Sequence, residues 1–252
     1  MTPTVLNQIN HISLPVLNEI GEWHGRLVLT GESDNAEFEA TAEMLSYFSR
    51  LASIGAFALT RQKVGVSHLG VSIARQQGAL EAKISARHLH PGAWRVLLQL
   101  IGHCHQMEPY QDFSLQAIES SSFAQGKPVV QSDYPELFAH NDSLLRYASE
   151  SALSDDLCIR LTSIRELSSV EVRSIGELID DWGTVVYAGG FSDVGNTIDS
   201  PLLNKPNTYR VGQREVEIAV SEFTSHPHAW FSLINLSLAL SSLYSLSSIE
   251  VE

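Results

Sequence analysis

The amino-acid sequence predicts an α+β chain built as a tandem duplication of one ferredoxin-like β-α-β-β-α-β unit. Each unit is expected as an antiparallel four-stranded sheet with two helices on one face. Three observations predict it. Blocks of residues recur in the same order at a spacing near 134 residues. Within each copy the apolar residues switch between a period of two and a period of 3.6. The chain's 252 residues suffice for two hydrophobic cores. The expected boundaries are an N-terminal extension over 1–24, a first repeat over 25–120, a linker over 121–154 and a second repeat over 155–252.

The first strand is read from Arg26-Leu27-Val28-Leu29-Thr30-Gly31-Glu32, which overlies Arg160-Leu161-Thr162-Ser163-Ile164-Arg165-Glu166. A helix follows in both copies. Asp34-Asn35-Ala36-Glu37 and Ser168-Ser169-Val170-Glu171 read as capping boxes, in which a short polar N-cap and a glutamate three residues on satisfy each other's amides. Phe38, Leu45, Phe48 and Ala52 in one helix match Val172, Ile179, Trp182 and Val186 in the other, a core-facing stripe. Gly55-Ala56-Phe57 and Gly189-Gly190-Phe191 end the two helices.

A hairpin is expected next. Val71-Ser72-Ile73-Ala74 and Thr208-Tyr209-Arg210-Val211 supply its first strand, and Leu80-Glu81-Ala82-Lys83-Ile84 over Val216-Glu217-Ile218-Ala219-Val220 its second. The second helix opens on His90-Pro91-Gly92-Ala93-Trp94 and His226-Pro227-His228-Ala229-Trp230, where proline's fixed φ suits the first turn. Ser114-Leu115-Gln116-Ala117-Ile118-Glu119 over Ser245-Leu246-Ser247-Ser248-Ile249-Glu250 closes each copy. In the linker, a short helical patch is expected near Leu144 to Ala148.

The net charge is −13, and residues 121–252 carry 8 basic against 18 acidic groups. Binding to nucleic acid or an anionic membrane needs a clustered basic surface, so neither is an expected partner. A basic protein is. No run of 18 apolar residues suggests a span. The first basic residue is Arg26, later than a secretory or mitochondrial signal requires, so a cytoplasmic protein is expected. Cys104 and Cys158 lack ligand spacing and read as reduced structural thiols. His103 and His105 fall on a helix, where i and i+2 point apart, so no metal site is expected there, and no cofactor motif occurs.

Two function classes remain open. The first is a non-catalytic acidic protein-interaction module, an adaptor, inhibitor or immunity-like protein, with Asp180, Asp181, Glu217 and Glu222 as contact residues. The second is a small-molecule-binding or enzymatic pseudo-dimeric barrel, with a pocket between the two sheets. Its lining would start from two repeated ion pairs, Arg26 with Glu81 and Arg160 with Glu217, on the sheet faces away from the helices. Lys83 and Arg87, with Ser85 and Gln116, extend that lining in the first copy. Ala219, Ser221, Phe223 and Ser247 replace them in the second. No catalytic constellation is visible.

Overall fold

The computed structural model describes residues 4–5, 24–30, 35–57, 68–76, 79–87, 93, 96, 97, 100, 112–118, 144–147, 156–191, 205–221 and 227–252. The chain is α+β and divides into two compact units, Met1–Val129 with Asp193–Thr197 and Val130–Ser192 with Ile198–Glu252.

The first unit runs β1 (Thr4–Val5), β2 (His24–Thr30), α1 (Asn35–Ser53), β3 (His68–Gln76), β4 (Ala79–Arg87) and β5 (Asp112–Ile118). Its sheet is antiparallel throughout, in the order β1-β5-β2-β4-β3. Ala93, Val96, Leu97 and Leu100 are helical and buried, at the three- and four-residue spacing of one helix face. Leu45, Phe48 and Leu51 of α1 are fully buried, and Phe48 stacks on Phe57 with ring centroids 5.3 Å apart.

The second unit runs β6 (Leu145–Tyr147), β7 (Leu157–Ser163), α2 (Ser169–Tyr187), β8 (Asn207–Arg210), β9 (Glu215–Val220), α3 (Pro227–Tyr244) and β10 (Leu246–Val251). The sheet order is β6-β10-β7-β9-β8. Burial alternates along β7 and β9: Leu157, Ile159, Leu161, Val216, Ile218 and Val220 are buried, while the residues between them are half-buried. That buried face meets Ile175, Ile179, Trp182 and Val186 of α2 and the all-round apolar α3. Trp182 donates its indole N–H to the Ser232 hydroxyl at 2.7 Å, and that hydroxyl donates to the Ala229 carbonyl at 2.7 Å. The one polar atom of a fully buried ring is thereby satisfied.

Local signals set the helix ends. Ser168 accepts from the Glu171 amide at 3.2 Å, and the Glu171 carboxylate accepts from the Ser168 amide at 2.8 Å, closing the capping box of α2. The glycine exits also coincide. Gly55 (φ 86°) donates to Ala52 O and Ala56 to Leu51 O. Gly189 (φ 84°) donates to Val186 O and Gly190 to Val185 O. Both pairs form the 5→2 and 6→1 bonds of a left-handed helix stop.

Glu171 also holds Arg165. That ion pair, followed by the bonds from Ser168, lowers its pKa to about 2 from an ordinary 4.5. A depressed carboxylate stabilises the fold above its unfolded value and loses that contribution as pH falls from about 4.5 towards about 2. Glu171→Gln is therefore expected to flatten the acid limb of the stability curve in that window. An unchanged slope in acid unfolding followed by circular dichroism would contradict this.

Three sequence expectations need correction. The sheets have five strands, not four, because β1 from the expected extension and β6 from the expected linker add to the edges. Leu145-Arg146-Tyr147 is strand rather than helical patch. It runs parallel to β10, and Leu144 accepts from Ile249 N at 2.7 Å, so β6 satisfies backbone groups that β10 would otherwise leave open. Strand register differs as well. In the first unit Arg26 lies across from Ser85 and Val28 from Lys83, so Arg26 and Glu81 are not a direct cross-strand pair. The second unit sets Arg160 across from Glu217. A slip of an even number of residues keeps every apolar residue on its face, so the period-two pattern does not register it. The closing strands also shift: Arg26 pairs with Gln116 and Arg160 with Glu250, so Gln116 matches Glu250, not Ser247. Ser245 (φ 52°) belongs to the turn into β10.

Candidate functional site

The face of the second sheet away from the helices gathers the polar residues. Cross-strand register sets Arg146, Glu250, Arg160, Glu217 and Tyr209 side by side in one row over all five strands, β6 to β8. The row alternates in charge. Neighbours directly opposite in a sheet are close enough for their side chains to interact, so alternation removes like-charge contacts along it.

Glu217 is its anchor. Arg160 Nη2 donates to Glu217 Oε2 at 3.1 Å, and the Tyr209 hydroxyl donates to Oε1. With both oxygens engaged, Glu217 is held below the ordinary carboxylate range, first by the tyrosine and then by the arginine. The same bond raises the Tyr209 phenol. Arg160 also lies 3.8 Å from Glu252. Its side chain keeps 34% of its exposure against 14% for Glu217, so the arginine is the more exposed partner of the pair.

Cys158 stands beside this row, bonded through its backbone to Glu252. Partial burial, then the charge and hydrogen bond of Glu217, push its thiol up to about 11. At neutral pH the thiol is protonated and a poor nucleophile. Alkylation by iodoacetamide is therefore expected to keep accelerating as pH rises past 9 towards about 11, and Glu217→Gln to shift that profile to lower pH. A profile that levels off near pH 8.5 would contradict it.

The remaining sequence-predicted residues divide. Lys83, Arg87, Glu81 and Arg26 lie on β4 and β2, where the register places them on one face of the first sheet. Asp180 is half-buried and pairs with Lys205 at 3.1 Å. Asp181 is not a surface contact: its position on the inner side of α2 leaves it 4% exposed. Glu222 lies outside the described residues. Sequence reasoning missed Glu250 and Glu252 as neighbours of Arg160, and Arg146 and Tyr209 as the ends of its row. Tyr209 was signalled by the alternation of its strand, whereas Glu250 was hidden by the three-residue misregister of the closing strand. Among the described residues no group of His, Cys, Asp and Glu is placed to hold a metal ion, and no helix is long and apolar enough to cross a membrane.

Neither a family model nor a curated protein sequence matches this chain. Among solved structures, a candidate glycine cleavage system transcriptional repressor aligns over 92% of this chain and 98% of its own, at 10% identity and a TM-score of 0.24. A Cas6 product complex aligns over 91% and 100%, at 12% identity and a TM-score of 0.19. Likenesses this distant carry no argument about function.

Proposed function

We propose that the chain is a duplicated pair of ferredoxin-like units acting as a non-catalytic, acidic protein-interaction module in the cytoplasm, with the open sheet face of the second unit docking a basic protein. The observation that carries this reading is the make-up of that face. Among the described residues, Glu215, Glu217, Glu250 and Glu252 share it with two basic residues, Arg146 and Arg160, and Arg160 is already engaged by Glu217 and Glu252. A partner bringing lysine or arginine would meet a glutamate surplus and, in Tyr209 at 45% exposure, an aromatic ring able to pack against it. A protonated thiol and a fully engaged carboxylate support binding better than chemistry. The shared element order and the matched helix stops support the duplication.

The test is capture from a lysate of the source organism at low and high salt. The native chain is compared with Glu215→Lys/Glu250→Lys/Glu252→Lys, which spares the Glu217 anchor. A basic protein retained at low salt, released at high salt and lost by the triple variant is the expected result. Equal retention by the variant removes the proposal.

A further inference from the structure

Among the described residues, four strands end the two sheets: β1 and β3 in the first unit, β6 and β8 in the second. Their lengths differ sharply. β1 has 2 residues, β6 has 3 and β8 has 4, whereas β3 has 9 and pairs with β4 at every position without a register shift. An edge strand offers a row of backbone N–H and C=O groups that templates pairing, and proteins blunt such edges by shortness, proline, lysine or a bulge. Among the described residues, three of the four edges are short. β3 carries one charge, Arg75, but its sequence, HLGVSIARQ, contains no proline or lysine, and its ladder has no bulge.

We propose that β3 is a pairing edge for a second copy of this chain, the two β3 strands running antiparallel about a two-fold axis at Ser72. Length favours this occupant. A nine-residue edge paired with β8, β6 or β1 would leave at least half its positions open, and only another β3 matches it among the described edges. Register permits it. About Ser72 all nine positions pair, His68 with Gln76, Leu69 with Arg75, Gly70 with Ala74 and Val71 with Ile73. Partners in each pair share parity, so residues of one sheet face meet residues of the same face in the other copy. The strand's only arginine falls across from leucine, whereas an in-register parallel pair would set Arg75 against Arg75. The interface would join the two five-stranded sheets into one of ten, with backbone hydrogen bonds as its main content.

The experiment is sedimentation velocity with the full chain from ~1 to ~100 µM, the range expected for an interface of modest area. It is paired with cysteine cross-linking in a Cys104→Ser, Cys158→Ser background. A concentration-dependent dimer is expected. Ser72→Cys should give a disulfide-linked dimer on mild oxidation, because directly opposed residues have Cα atoms about 4.5–5.5 Å apart. Gln76→Cys should not, because two copies of that position would lie roughly 27 Å apart along the strands. Ser72→Glu, setting two carboxylates at the axis, should weaken the dimer at least about tenfold. A chain that stays monomeric throughout, or cross-linking by Ser72→Cys no greater than by Gln76→Cys, overturns the proposal. If Ser72→Glu disturbs folding, the cysteine pair still decides.

Discussion

Trp182→Ala is expected to destabilise the second unit by about 3–5 kcal/mol, the range for deleting a buried indole from a packed core. Three facts set that size. The ring is fully buried, it belongs to the buried stripe of α2, and its N–H has a partner in Ser232 of α3 at 2.7 Å. The small replacement leaves a void that the flanking Ile179 and Val186, themselves fully buried, fill only in part. Trp182→Phe retains most of the volume and should cost less than half as much. Ser232 keeps its bond to Ala229 O, so no buried hydroxyl is stranded. Urea unfolding followed by far-ultraviolet circular dichroism checks this. A loss below about 1 kcal/mol for Trp182→Ala would mean that the ring is not central to the core.

Gly55→Ala should cost about 1–2 kcal/mol through the backbone alone. At φ 86° an L side chain sits in the left-handed region, yet a Cβ built there meets nothing within 4 Å. The cost is therefore conformational and not steric crowding by neighbours. Gly55→Asn, a residue that tolerates this region, should recover part of it. Gly189 makes the same helix stop at φ 84°, so Gly189→Ala should be destabilising for the same reason. Unchanged thermal midpoints in both variants would contradict the helix-stop account.

Those two sites also mark what the sequence made legible. Capping and stop signals act within a few residues, so Ser168, Glu171, Gly55 and Gly189 could be read without the rest of the chain. The matched stripe of Leu45, Phe48 and Ala52 with Ile179, Trp182 and Val186 was equally readable, because helical periodicity reports burial directly, and all six are buried. Strand partnership is not local. The Arg160–Glu217 pair was foreseen because both residues fall on positions facing away from the helices. The same reasoning placed Glu81 beside Arg26, where the register instead puts Ser85. Nor does a strand of two or three residues have enough length to display a period, which is why β1 and β6 went unread. The polar row followed suit: Arg146 joins it only through β6, and Glu250 only through the corrected register of β10.

The proposed docking surface for a basic partner is the face of the second sheet away from its helices. The most direct measurement is hydrogen exchange of the full chain with and without the captured protein. Added protection over β7, β9 and β10, with the exposed sides of α2 and α3 unchanged, is the predicted result. Protection confined to the helices, with the sheet exchanging as in the free chain, would contradict it.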